Sequence, residues 1–132
     1  ILRPDFEFRL TMPDDISGIY IPSMSVQILA ENAIKHGLKG LERKQTLSIN
    51  VSRHEKTVEI AVEDNGRGFD CTKGSGNGLG MNIIRQTIAA VNRRSKRGKM
   101  DLDIMNTHDK EGNVDGCRIT MTIKGKINIQ KL

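Results

Sequence analysis

Three stretches of the chain alternate apolar and polar residues with period two, which restricts them to strands with one buried and one wet face. In "TLSINVS" (46–52) the apolar positions are Leu47, Ile49 and Val51. In "VEIAVED" (58–64) they are Val58, Ile60 and Val62, and in "CRITMTIK" (117–124) they are Cys117, Ile119, Met121 and Ile123. "RHEKT" (53–57) reads as the hairpin loop between the first two, and "THDKEGNVDG" (107–116) as the loop before the third. "FEFRL" (6–10) and "KMDLDIM" (99–105) are shorter strands by the same criterion. Two segments carry helical spacing instead. "SMSVQILAENAIKHG" (23–37) follows Pro22 and stops at Gly37, a C-terminal cap signal. "MNIIRQTIAAVNRR" (81–94) lines up Met81, Ile84, Ile88 and Val91 on one stripe. Helices and strands interleave without a regular βαβ repeat, which predicts an α+β fold: a two-layer sandwich with a mixed sheet and helices on one face.

With 132 residues, 36% of them hydrophobic and 28% charged, residues 1–132 read as one globular domain. No apolar run approaches the ~20 residues that span a bilayer, and no signal-peptide pattern opens the chain. Cys71 and Cys117 form no C-x-x-C pair and read as free thiols in a reducing compartment. "ILRPDFEF" lacks an initiator methionine and reads as the interior of a longer protein. The net charge is +5, and five basic residues sit in "RRSKRGK" (Arg93, Arg94, Lys96, Arg97, Lys99). With three Phe, one Tyr and no Trp, stacking platforms for nucleobases are scarce. The run is a solvated helix end or a surface for an anionic partner, phosphates included.

Three clusters carry chemistry. On the first helix, Val26, Leu29, Ala30, Ala33 and Ile34 gather on one face, while Glu31, Asn32 and Lys35 share an arc on the other. A carboxylate, an amide and an ammonium together suit a metal–phosphate group; an ordinary polar helix face has the same look. Next, "VEDNGRGFD" (62–70) ends a strand on Asp64, followed by Gly66 and Gly68, which permit positive φ and close approach to the backbone. Asp64 reads as a carboxylate facing a cavity, where an exocyclic amine of a base would supply its donor. Third, "GSGNGLGMNIIRQ" places Gly74, Gly76, Gly78 and Gly80 directly before a helix, an arrangement that exposes backbone N–H groups to an anion. Neither a Rossmann nor a Walker pattern fits the run.

In this order and spacing the clusters resemble a known superfamily. "ENAIKHG" is similar to the N box, "DNGRGF" to the first glycine box and "GNGLGMNII" to the second glycine box of the GHKL ATPases (gyrase, chaperone, histidine kinase, MutL). "IPSMSVQILAENAIKHG" is closest to the LytS-type sensor histidine kinases, and the likeness spans residues 6–124. The resemblance implies the Bergerat fold and an ATP site. By that pattern Asn32 would hold a phosphate-bridging Mg²⁺, Lys35 would contact phosphate and His36 would line the same wall. Asp64 would accept from the adenine amino group, and Gly66 and Gly68 would leave room for base and turn. Gly76, Gly78, Leu79 and Gly80 would form the phosphate wrap at the helix start, and residues 69–78 the ATP lid. Glu31, with Asn32, would be catalytic, either activating water as in hydrolytic relatives or orienting an acceptor histidine as in kinases; on pattern alone Glu31 also reads as a solvent-facing helical residue.

The implied function is histidine kinase catalysis by a fragment lacking its dimerisation and sensor parts. His36, His54 and His108 are not set in an acceptor-like helix, so the acceptor histidine would lie on a separate dimerisation domain. The implied partners are that domain, in a homodimer, and a response regulator, with no nucleic acid. The implied place is the cytoplasmic side of an inner-membrane sensor. Two alternatives stand beside it. One is a GHKL ATPase or anti-sigma-type serine kinase; the other is a non-enzymatic anion- or nucleic-acid-binding module built on "RRSKRGK". "DKEGNVDG" is no EF-hand, having Val114 at the sixth position and Thr120 at the twelfth. The N-V-S sequon at Asn50 falls mid-strand.

Overall fold

The computed structural model describes residues 3–15, 21, 24–69 and 78–126, with the side chains of 78–80 and 126 left aside. Five strands form one sheet: β1 (Glu7–Thr11), β2 (Thr46–His54), β3 (Thr57–Asp64), β4 (Arg97–His108) and β5 (Val114–Lys126). Their spatial order is β1-β2-β3-β5-β4. β1 runs parallel to β2 and every other pair is antiparallel, so the sheet is mixed as expected. Helix α1 (Ser25–Asn32) continues as a π-helical segment, Ala33–Leu38, and α2 (Gly78–Arg94) joins β3 to β4 in chain order.

Period-two patterning explains which face is covered. Leu47, Ile49, Ile60, Val62, Ile119, Met121 and Ile123 are all buried, in one cluster with Leu29, Ala33, Met81, Ile84 and Val91 from the helices. Both helices therefore lie on the same face, while Ser48, Glu59, Arg118 and Asp103 alternate onto the polar one. Burying a Leu, Ile or Met of this cluster contributes roughly 1.5–3 kcal/mol each, which is what holds helices to sheet.

Element boundaries depart from the sequence reading in instructive ways. The β2–β3 loop shrinks to Glu55 and Lys56, because Arg53↔Val58 and His54↔Thr57 continue the ladder and Glu55 takes φ 57°. β4 and β5 each outrun the expected strand, so only residues 109–113 remain as loop and His108 ends a strand. In that loop the Asp109 carboxylate accepts from the N–H groups of Glu111 (2.9 Å) and Asn113 (3.0 Å), closing a turn. Helix α2 begins at Gly78 rather than 81. The first helix does not stay α through Gly37: it widens at Ala33 and ends at Leu38, whose carbonyl accepts from the buried Gln45 side chain at 2.8 Å.

Candidate nucleotide site around Asp64

Asp64 sits on the covered face because it continues the buried alternation Ile60, Val62, Asp64. It is only 7% exposed. Its neighbours in register are Leu47 on β2 and Cys117 on β5, and Cys117 in turn faces Asn106 on β4. The carboxylate is thus one member of a row across the end of four strands. Gly66 N–H donates to Asp64 Oδ1 at 2.8 Å. Burial raises the carboxyl to a pKa of about 6, opposed by that N–H, with Glu63 adding a smaller upward push. Burial and the nearby Asp64 charge push the Cys117 thiol up to about 12, so it is an unreactive wall and not a nucleophile.

Three glycine backbones close around Asp64 and the turn that follows it. A Cβ on Gly37 would stand 2.7 Å from Asp64 Oδ1, and one on Gly116 would stand 2.1 Å from the Asp64 carbonyl oxygen. A Cβ on Gly66 would meet the Gly37 carbonyl oxygen at 2.0 Å. The close approach expected at Gly66 is therefore made by the chain's own helix end, and its φ is not positive. Positive φ belongs to Gly68, at +83°, where a Cβ would also strike Val114 and Asn106. Gly37, read from sequence as a helix stop, is a packing position beneath Asp64. The π-helical segment brings it there, as such widened turns do at functional sites.

The turn after Asp64 is tied on three sides. Asn65 Oδ1 accepts from Thr46 N–H (2.8 Å) and its Nδ2 donates to the Lys44 carbonyl (2.7 Å), fixing the turn to β2. Arg67 N–H donates to the Gly37 carbonyl at 3.1 Å, and its guanidinium donates to the carbonyls of Lys39 and Gly40. The Asn106 amide brackets the Phe69 backbone from β4. Sequence reasoning missed Gly37, Gly116 and Asn106, whose roles rest on contacts far apart along the chain.

The other expected site residues fall as follows. Asn32 is half-buried at the end of α1, whereas Lys35 and His36 are exposed on the π-helical segment. Glu31 is exposed, and its carboxylate accepts from Gln27 Nε2 at 3.1 Å. Gly78, Leu79 and Gly80 form the first turn of α2, so their backbone N–H groups lie at a helix N-terminus. Gly76, Gly74, Cys71 and most of the expected lid lie outside the described residues. A cleft of about 330 Å³, lined by Phe69, Arg85, Leu102, Ile104 and Asn106, opens between α2 and β4. Asp64 is not among the residues that line this cleft.

Residues 23–127 match the family of histidine kinase-, DNA gyrase B- and HSP90-like ATPases, and the chain belongs to that family. In sequence it is similar to sensor histidine kinases, and in fold to solved histidine kinase structures. Among curated relatives, the sensor histidine kinase YesM of Bacillus subtilis is 32% identical over 120 residues, covering 89% of this chain and 19% of its own length. The sensor histidine kinase YpdA of Escherichia coli is 44% identical over 68 residues, covering 49% of this chain and 12% of its own. The chain therefore spans a fifth or less of these relatives. Among solved structures, the Acinetobacter baumannii histidine kinase AdeS superposes with a TM-score of 0.59 at 16% identity, over 91% of this chain and 54% of that one. The mycobacterial sensor histidine kinase MprB gives 0.56 at 17%, over 94% and 86%. At such identities the likeness is one of fold.

Proposed function

We propose that this chain binds Mg-ATP and donates the γ-phosphate to a histidine on a separate dimerisation domain of a two-component sensor kinase. The observation that carries the reading is Asp64, a carboxylate 7% exposed at the strand end where the first glycine box falls. A buried carboxylate that accepts from the Gly66 N–H still has acceptor capacity to fill, and the adenine amino group is a fitting further donor. Adenine has that donor where guanine presents a carbonyl, so Asp64 would also select the base.

Asn32 is the residue that would carry Mg²⁺. Among the described residues no group of three or more His, Cys, Asp or Glu side chains could hold a metal, so the ion would rest on Asn32 and on the nucleotide's phosphates. When bound it would neutralise phosphate charge. Lys35 and His36 would meet the phosphate side, with Gly76, Gly78, Leu79 and Gly80 offering backbone donors at the start of α2. Gly68 would hold the turn beside the base, and Gly66 would serve by letting the helix end close on it. Catalysis would come from positioning and electrostatics. The exposure of Glu31 suits contact with an incoming acceptor domain better than the shielded activation of water, which favours transfer to histidine over ATP hydrolysis or serine phosphorylation.

The partners in this reading are the dimerisation domain, in a homodimeric kinase, and a response regulator that takes the phosphate. The domain would work on the cytoplasmic side of a membrane sensor. No helix among the described residues is long and apolar enough to cross a bilayer.

Calorimetric titration of Mg-ATP, Mg-ADP and Mg-GTP into the chain and into Asp64→Asn tests the site. Adenine nucleotides should bind and GTP should not. The variant should lose about 10- to 150-fold in ATP affinity, the range of one charge-assisted hydrogen bond of roughly 1.5–3 kcal/mol. Equal binding of all three nucleotides, unchanged in the variant, would leave only phosphate attraction to a basic surface and end the reading.

A further inference from the structure

We infer that Asn106, outside every recognised box, is a positioning residue for adenine recognition, acting on Asp64 through the Phe69 backbone. Asn106 Oδ1 accepts from Phe69 N–H at 2.7 Å, and its Nδ2 donates to the Phe69 carbonyl at 3.0 Å. One side chain thus satisfies both backbone groups of one residue, the work a neighbouring strand would otherwise do. The chain leaves β3 at Asp64, crosses the end of β5 and lands on β4 at this amide.

The crossing leaves little slack. Gly68 adopts φ +83° with Asn106 Oδ1 2.9 Å from where a side chain would begin, so the backbone lies against the amide. Between the clamp and Asp64 lie only residues 65–68, and this segment carries the Gly66 N–H that donates to the carboxylate. The far side of the turn is held by Arg67 on the Gly37 carbonyl. Asn106 therefore sets the outermost support of the turn, beyond Arg67 on the Gly37 carbonyl and Asn65 on Thr46 and Lys44, and the Gly66 N–H that meets Asp64 lies between those two inner anchors. Freed from it, residues 66–68 keep only Arg67 as their outer tie, so the Gly66 N–H shifts and the carboxylate loses part of its fixed direction, while Asp64 and Asn65 stay bound to the sheet.

The fold supplies its own control. Asn92 makes the same two-way bracket on Met100, accepting from its N–H at 2.8 Å and donating to its carbonyl at 2.9 Å, but it pins α2 to β4 near the opposite end of that strand. Loss of either bracket removes the same hydrogen bonds. Only the loss at Asn106 touches the turn that bears Asp64.

The proposal rests on the nucleotide reading above, and titrations of ATP and GTP into wild type, Asn106→Ala, Asn92→Ala, Asp64→Asn and the Asp64→Asn/Asn106→Ala double variant separate the two. We expect Asn106→Ala to weaken ATP binding about tenfold and to reduce discrimination against GTP by the same factor. Asn92→Ala should lower the melting temperature with ATP affinity unchanged. In the Asp64→Asn background the effect of Asn106→Ala on ATP should vanish, because the group it positions is gone. Unchanged ATP affinity in Asn106→Ala, an equal loss for GTP, or an equal loss in Asn92→Ala overturns the proposal. A wild type that binds ATP and GTP alike overturns the nucleotide reading and this one with it. Should Asn106→Ala fail to fold, amide hydrogen exchange on the wild-type chain decides: the Phe69 N–H should be protected well beyond an open turn, and exchange at an open-turn rate overturns the clamp.

Discussion

At Asp64 the needs of folding and of binding oppose one another. Its carboxyl titrates at about 6, against 3.8 for the ordinary side chain, chiefly because burial penalises the charge. The folded state therefore holds a proton more tightly than the unfolded chain, so stability from this group is greatest at low pH and is lost as pH rises from about 4 to 6. The shift of some two units corresponds to roughly 3 kcal/mol, an upper limit on what the ionised group costs at pH 7. Asp64→Asn should accordingly raise the melting temperature at pH 7, with the gain shrinking towards pH 4, while it weakens ATP binding. In the wild type, ATP should lose its advantage over GTP below about pH 6, as the acceptor is protonated. Taking the ratio of the two affinities cancels the titration of the phosphates themselves. A variant that is destabilised at pH 7, or a ratio flat from pH 8 to 5, would contradict this account. Asp64 was legible in the sequence because a strand-end Asp with two spaced glycines is a local pattern. Asn106 was not, since its partner Phe69 lies 37 residues away and nothing in the local pattern around either residue marks the contact.

At the level of elements, the joint between the π-helical segment and the turn after β3 decides whether the site exists. The strands were readable because period two survives any tertiary context that covers one face. The helical segment was readable as a helix but not as a widening one, since α and π turns share the same apolar residues and differ in backbone hydrogen bonding. Its consequence is the contact of Gly37 with Asp64 and Gly66, which local spacing does not reveal. This contact should tolerate no side chain. Gly66→Ala drives a methyl into the Gly37 carbonyl and should cost about 1–3 kcal/mol or more, with loss of ATP binding. In Gly37→Ala the new methyl meets the Asp64 carboxylate instead, a side chain that can turn away. That variant should keep more of its stability while losing adenine preference, the reverse balance to Gly66→Ala. Thermal melts paired with ATP and GTP titrations of the two variants check the ordering.

Across the whole molecule, the basic run and the candidate site occupy opposite ends of the sheet. Lys96, Arg97 and Lys99 are exposed where α2 gives way to β4. Lys99 pairs in register with Lys124, which pairs with Thr57 at the start of β3, whereas Asp64 ends that strand. At ~3.3 Å per residue the length of β3 separates the two ends by about 23 Å. The screening length at physiological ionic strength is about 8 Å, so these exposed charges act on a nucleotide beside Asp64 across nearly three such lengths. The sequence showed the basic run and the glycine boxes but not the distance between them, because the order of strands along the chain does not reveal which sheet end each residue reaches. That separation turns the anion-binding alternative into a measurable claim. Replacing Lys96, Arg97 and Lys99 together by Glu removes three positive charges and adds three negative ones without touching the Asp64 turn. At 150 mM salt its ATP affinity should stay within about twofold of wild type, since screened interactions at this range contribute a small fraction of a kcal/mol each. Binding to a DNA duplex or heparin, if the wild type shows any, should be lost in the same variant, with a log–log salt slope set by the charges removed. A tenfold fall in ATP affinity on this charge reversal would mean that the nucleotide is held by the basic end, and that Asp64 is not where it sits.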